Sequence, residues 1–306
     1  MAVEDMTGRT ITGERPAAVG FTMSVASTVH LTGGSQVFVK AGEADRAAGE
    51  AVTTGAELAP VLGDLAPALL GHRTVDGWSI AVYDHVPGDA IEQWDEVAVS
   101  AMERLTRRLR ERLDPSPVDG TVPYAQAFAP LLGCWEALDD PDHPDRHRVA
   151  HVADVALPYG LDVAQLAELE RHWLGQLGGG TALQHGDLRA DNVVREPSGR
   201  LWLVDWTHRW TAPGWADLVR LGPDLAANGQ HDPEVFLSRS AWGDAPRDGV
   251  DVMLAGLAGR AWRDGHLPDV PGLPHLRRMQ LEQGDAALHW LARRLETART
   301  ARSASH

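Results

Sequence analysis

The run His185-Gly186-Asp187-Leu188-Arg189-Ala190-Asp191-Asn192 sets a carboxylate five residues ahead of an amide. A second carboxylate, in Leu203-Val204-Asp205-Trp206, follows Asn192 by 13 positions. Phosphoryl transfer needs this set of groups. One carboxylate holds and orients an attacking hydroxyl; another, with an amide oxygen, holds Mg²⁺ against the phosphates of a nucleotide. Asp187, Asp205 and Asn192 supply the three groups. The apolar run before Asp205 predicts a rigid strand, which a metal ligand needs. A tight β-hairpin would return the chain from Asn192 to Asp205.

The flanking sequence must build a frame for these residues. Phe21 to Val25 and Thr28 to Leu31 read as strands, Thr32-Gly33-Gly34-Ser35 as a turn and Val37-Phe38-Val39-Lys40 as a short apolar strand. A helix is expected from Ala44 to Leu62, weak around Thr53-Thr54-Gly55. A hairpin follows: Ala68 to Leu70, a turn at Asp76-Gly77, and Trp78 to Tyr83, before a linker at Val86-Pro87-Gly88-Asp89. Residues 1–88 thus read as a β-rich lobe with one helix, and 89–306 as a larger, mainly helical lobe. In the latter, Met102, Leu105, Leu109 and Leu113 mark one helix, and Leu166, Leu169, Trp173 and Leu177 another. Helical patterns resume over Val252 to Trp262 and Leu276 to Leu295. Trp173, Trp262 and Trp290 lie on apolar helix faces and read as core; Trp206, Trp210 and Trp215 read as possible substrate walls.

Composition narrows the class. The 306 residues are 43% hydrophobic and 23% charged, ordinary for a folded soluble chain. A net charge of −15 speaks against a nucleic-acid partner; it either keeps the chain soluble or steers a cationic small molecule. Long uncharged apolar stretches are missing, so a membrane span is not expected. The first residues lack a basic segment followed by an apolar one, and Cys134 is the only cysteine, so the expected setting is the cytoplasm. Lys40 is the only lysine among 28 Lys and Arg residues, and Asn192 and Asn228 are the only asparagines. In a chain that otherwise avoids both types, these positions stand out. The histidines and aspartates of 139–147 read as a solvated loop, broken by Pro141 and Pro144.

The HGD…N loop and the LVDW strand resemble the aminoglycoside phosphotransferase and choline kinase-like family, whose motifs are H-G-D-x-x-x-x-N and I/V-D-W. The resemblance runs from about Phe21 to the last helices. It implies an α+β, bilobal, protein-kinase-like fold: a small antiparallel β N-lobe with one helix, and a larger, mainly α C-lobe carrying the catalytic hairpin. Its nucleotide, ATP or GTP, would sit between the lobes. By the resemblance, Asp187 is the catalytic base, and Asn192 and Asp205 are the magnesium ligands. His185 shapes the loop, and Asp217 braces it from a helix N-terminus. Arg189 either faces the transferring phosphate or pairs with a nearby acid such as Asp191. Lys40 would grip the α- and β-phosphates, held by Glu50 or, in another helix register, Glu57. A serine-containing loop over Thr22 to Thr28, with Ser24 and Ser27, would cover the phosphates in place of a glycine-rich one. Asp84, His85 and Val86 would form the hinge that meets the purine, with Tyr83 either a bulky base-selecting residue or strand packing.

The implied activity is a Mg²⁺-dependent transfer of the γ-phosphate to a hydroxyl of a small molecule, an antibiotic in the leading reading. A choline, sugar, amino-acid or nucleoside kinase is the alternative, and a non-catalytic binding protein of the same fold a third. The oligomeric state stays open between monomer and dimer.

Overall fold

The computed structural model of the chain describes residues 2–17 and 25–304. The first part forms helix α1 (Ala2–Thr7), strands β1 (Ile11–Pro16), β2 (Val25–Leu31) and β3 (Gln36–Glu43), helix α2 (Ala47–Leu62), strands β4 (Leu69–Val75), β5 (Trp78–Asp84) and β6 (Asp89–Ala90), and helix α3 (Glu96–Leu113). Next come β7 (Val122–Pro123), α4 (Tyr124–Phe128), α5 (Cys134–Asp139), α6 (Arg146–Val149), α7 (Val163–Arg171), α8 (Trp173–Leu177) and β8 (Ala182–Gln184). The last part holds β9 (Val193–Arg195), β10 (Leu201–Leu203), β11 (Trp210–Ala212), α9 (Ala216–Gly229), α10 (Pro233–Arg239), α11 (Arg247–Gly265) and α12 (Leu276–Ala304).

These elements form two compact units. The first takes the described residues of Met1–Glu92, Glu96–Thr121 and Ala190–Arg209; the second takes those of Gln93–Asp95, Val122–Arg189 and Trp210–His306. The chain therefore passes between the units more than once. Strand β6 pairs with β9 through Asp89↔Arg195 and Ala90↔Val194, which draws the β9–β10 hairpin into the first unit. Gly88 permits this pairing, because a Cβ there would stand 2.3 Å from the Arg195 carbonyl oxygen. Helix α3 joins the same unit through Arg108 and Arg112, which converge on Asp64 together with Arg200 of the hairpin. The Arg108 hydrogen bond holds the Asp64 carboxyl below its ordinary range.

The first unit is built on a five-stranded antiparallel sheet ordered β1-β2-β3-β5-β4. Side chains alternate between the faces of a strand. Val29, Leu31, Val37, Val39 and Val82 gather on one face, covered by Val3 and Met6 of α1. On the other, Val52 and Ala56 of α2 pack against Ala81. Helix α2 starts at Ala47 and runs unbroken through Thr53-Thr54-Gly55, because packing of its apolar stripe outweighs the weak local propensity. Helix α1 and strand β1 carried no clear sequence signal. The expected strand over Phe21 to Ser24 lies outside the described residues.

In the second unit, β11 pairs antiparallel with β8 and parallel with β7. The helix expected around Leu166 to Leu177 is two helices, α7 and α8, parted at His172. Helices α10, α11 and α12 are tied by Arg294, which pairs with Asp251 and Glu234, and by the Trp290 indole, which donates to Glu234 at 2.7 Å. Trp173 and Trp290 are buried as expected, and so is Trp215; Trp262 is half-buried. Asn228 donates to Asp224 at 2.6 Å, and Asp224 also accepts the Trp94 indole N–H at 2.9 Å. No described helix is long and apolar enough to cross a membrane.

Gly55 is a point of close approach on α2. A Cβ there would lie 2.8 Å from the Trp206 carbonyl oxygen and 3.2 Å from the Tyr83 hydroxyl. Gly55→Ala should gain about 1 kcal/mol of helix propensity and lose more, about 1–3 kcal/mol, to overpacking. Urea unfolding is expected to show a lower midpoint at unchanged slope; a raised midpoint would mean that the close approach is not as described.

Candidate active site

One row of the sheet makes a roof. Arg15, Thr28, Phe38 and Tyr83 are successive cross-strand partners on β1, β2, β3 and β5. All four line a cavity of about 840 Å³, its open mouth included. Leu62, Ala66 and Pro67 form another wall, and Val194, Leu203 and Trp206 of the hairpin segment a third. The walls are mostly apolar, and the space suits a flat aromatic group. The sheet ladder ends at Asp84, opposite Val37, so the chain at His85 and Val86 leaves the sheet along the cavity's edge. Burial, together with Arg15 and His30, holds His85 below the usual histidine range. Burial and the nearby Asp205 charge push the Tyr83 phenol up.

Lys40 also lines this cavity, and its ammonium is paired with Asp205 Oδ1. The two side chains are 17% and 23% exposed, so the pair is shielded but reachable. Asp205 follows β10 and has a φ of +66°, a left-handed conformation that aspartate visits rarely. The turn is held by the Val204 N–H, which donates to the Asn192 carbonyl at 2.9 Å. Asn192, buried at the end of a short 3₁₀ turn, therefore sits at the foot of the same hairpin as Asp205.

A hard cation such as Mg²⁺ is commonly held by one or two protein oxygens plus phosphate oxygens and water. The hairpin fits that demand. It offers one carboxylate and one amide, and Asp205 Oδ2 has no partner among the described residues. No group of three or more His, Cys, Asp or Glu among the described residues is placed to hold a metal alone.

The second unit carries Asp187. Its loop is fixed by Asp217 in the first turn of α9. The backbone N–H groups of His185 and Gly186 donate to the Asp217 carboxylate at 2.5 and 2.9 Å. The Asp217 N–H in turn donates to Gln184 Oε1 at 3.0 Å. The Asp187 N–H donates to His185 Nδ1 at 3.3 Å, so His185 shapes the loop from a fully buried position. The Asp187 carboxylate lies between two arginines. Arg220 Nη2 donates to Oδ1 at 3.2 Å, and Arg189 Nη2 is 3.4 Å from Oδ2. Burial alone would push the Asp187 carboxyl up; Arg220, Arg189 and His185 outweigh it and hold the group below its ordinary value. Asp217 shows the opposite balance, pushed up by burial despite its two N–H donors.

Three expected residues fall elsewhere. Glu50 is exposed and does not meet Lys40, because the inward stripe of α2 runs through Gly49, Val52 and Ala56. Glu57 is exposed as well and pairs with Arg209 at 2.6 Å. The counter-ion of Lys40 is Asp205. Ser27 lies within β2, opposite Val39, on the face away from the cavity, and its hydroxyl donates to Glu14 at 2.6 Å. Its neighbour Thr28 lines the cavity instead. Ser24 lies outside the described residues. Arg15 and Arg220 were missed. The only sequence signal for Arg220 is its spacing of three from Asp217 on a helix, which puts both on one face.

No protein-family model matches the sequence, and no curated protein matches it. Solved structures do. A thermostable mutant of aminoglycoside phosphotransferase APH(4)-Ia, in ternary complex with ADP and hygromycin B, aligns over 96% of this chain and 97% of its own with a TM-score of 0.59 and 11% identity. An aminoglycoside phosphotransferase from Alicyclobacillus acidocaldarius aligns over 94% of this chain and 92% of its own, with a TM-score of 0.59 and 15% identity. Choline kinase LicA from Streptococcus pneumoniae aligns over 94% and 97%, with a TM-score of 0.55 and 14% identity. The antiparallel sheet, the hairpin and the helical remainder together give this chain the kinase-like α+β fold of those structures.

Proposed function

We propose that the chain is a small-molecule O-phosphotransferase, moving the γ-phosphate of ATP or GTP to a hydroxyl. The observation that carries this reading is the Lys40–Asp205 pair at a largely apolar cavity, with Asn192 at the foot of the same hairpin. A purine would lie under Phe38 and Tyr83, with its edge toward the backbone of Asp84, His85 and Val86. Lys40 would turn toward the α- and β-phosphates. Asp205 and Asn192 would hold Mg²⁺, which neutralises charge on the phosphate oxygens.

Asp187 would orient the acceptor hydroxyl and take its proton. The acceptor oxygen forms the new bond to the γ-phosphorus, and the bond to the bridging oxygen of the nucleotide breaks, releasing the nucleoside diphosphate. Arg189, beside Asp187, would offset charge on the transferring group. An aspartate held below its ordinary pKa is a weak base, so positioning supplies most of the rate.

The acceptor is read as a cationic, hydroxyl-bearing antibiotic. The net charge of −15 favours a cation, and two of the structural neighbours are aminoglycoside phosphotransferases. The choline kinase neighbour makes a metabolic amino alcohol the alternative.

Two experiments follow. Product mass is read after incubation with Mg·ATP or Mg·GTP and a panel of aminoglycosides, macrolides, nucleoside antibiotics, choline and sugars. One panel member should gain a single phosphoryl group, and Asp187→Asn should lower turnover by about 10³-fold or more while still binding nucleotide. Wild-type turnover in that variant would remove Asp187 from the reaction. Separately, calorimetry should find ATP affinity within about twofold of wild type for Glu50→Gln and weakened at least tenfold for Lys40→Met, as expected when one charge contact to phosphate is lost. Equal losses would restore Glu50 as the partner of Lys40.

A further inference from the structure

The start of α9 does two jobs three residues apart. Asp217 holds the backbone of His185 and Gly186. Arg220 reaches the carboxylate of Asp187 itself, at 3.2 Å. The guanidinium is an unusual one. It is largely buried, with 19% of the side chain exposed. Its Nη1 is 3.5 Å from the Tyr124 hydroxyl, and its carbon sits 5.8 Å from the centre of the Phe128 ring. Its Nε is buried without a hydrogen-bond partner among the described residues.

Burying a guanidinium with a donor unused is costly, and one carboxylate contact repays it poorly. Loop bracing does not require it, since Asp217 already takes two backbone N–H groups. What Arg220 adds is a fixed direction for one oxygen of Asp187. Arg189, on the loop itself, meets the other oxygen at 3.4 Å and also donates to Met279 Sδ at 3.4 Å.

We propose that Arg220 is a positioning residue of the transfer reaction, holding the Asp187 carboxylate in the orientation and charge state that receive the acceptor hydroxyl. This rests on the reading of Asp187 given above. The charged and titratable groups around the carboxylate include Arg189 and His185 from its own loop and Arg220 and Asp217 from α9. Tyr124 of α4 and Arg260 of α11 lie behind Arg220. Removing Arg220 takes away the largest attraction that holds Asp187 ionised, so its protonation would move to higher pH.

The test compares wild type, Asp187→Asn, Arg220→Met and Arg220→Lys with the acceptor found in the transfer panel. Arg220→Met should lower kcat about 10- to 100-fold, the usual cost of losing a partner that orients a reacting group. ATP affinity should stay within about twofold, and the acid limb of kcat/KM should move to higher pH. Arg220→Lys, which keeps the charge and fits the site more loosely, should recover part of the loss. If Asp187→Asn is inactive while Arg220→Met keeps wild-type kcat and an unmoved acid limb, the proposal fails and the reading of Asp187 stands. If Asp187→Asn stays active, the reading fails and the proposal with it. If Arg220→Met loses turnover only in proportion to its unfolded fraction, a purely structural role replaces the proposal. Should Arg220→Met not fold, a wild-type kcat and pH profile in Arg220→Gln or Arg220→Lys would overturn it equally. If no panel member is phosphorylated, ¹³C-carboxyl NMR of Asp187, assigned with Asp187→Asn, decides. Its titration midpoint should rise in Arg220→Met, and an unmoved midpoint overturns the proposal.

Discussion

The ion pair between Lys40 and Asp205 is the constraint around which the first unit is arranged. It ties the middle of the sheet to the end of the β9–β10 hairpin, over a sequence separation of 165 residues. Both partners are mostly shielded, so removing either would strand a charge in a poorly solvated place. Several local features serve this pair. Asp205 accepts a left-handed backbone to present its carboxylate. The Val204–Asn192 hydrogen bond closes the hairpin beneath it. Strands β6 and β9 anchor the hairpin to the chain that leaves the sheet, with Gly88 allowing the close passage. Helix α2 is thereby released from supplying a counter-charge. Its inward stripe is Gly, Val and Ala, and its glutamates face water.

The second unit solves a different problem, how to hold one carboxylate still. A loop has few backbone partners of its own, so Asp217 supplies two acceptors and His185 a third. The side chain is then fixed by cations on both oxygens. Two arginines beside one aspartate keep it ionised and leave it a modest base. That agrees with a reaction in which positioning and charge neutralisation outweigh proton abstraction.

The parts legible in the sequence are those encoded within a few residues. A lone lysine closing a Val-Phe-Val strand, the HGD loop, the LVDW strand and Asp217 each carry their signal locally, and each lies in or beside the two sites. What the sequence hid depends on register and long-range pairing. Ser27 and Thr28 are adjacent, and only the pairing Thr28↔Phe38 decides which of them faces the cavity. Glu50 and Glu57 are alternatives that sequence leaves open, and the packed stripe of α2 sets a helix rotation that turns both to solvent. Residues 190–209 join the first unit through strand β6, a pairing that no local pattern announces. Arg220 hid among the many arginines of a chain with a single lysine.

The most direct test of the central pair is ATP binding by calorimetry with and without Mg²⁺, in wild type and in Asp205→Asn, with adenosine as the control for the apolar cavity. If Asp205 is both the resting partner of Lys40 and a metal ligand, magnesium should strengthen ATP binding to wild type. It should give little or no gain in Asp205→Asn, while adenosine binds both proteins alike. A magnesium-dependent gain of the same size in the variant would contradict this role for Asp205. An absence of ATP and adenosine binding to wild type would contradict the assignment of the cavity itself.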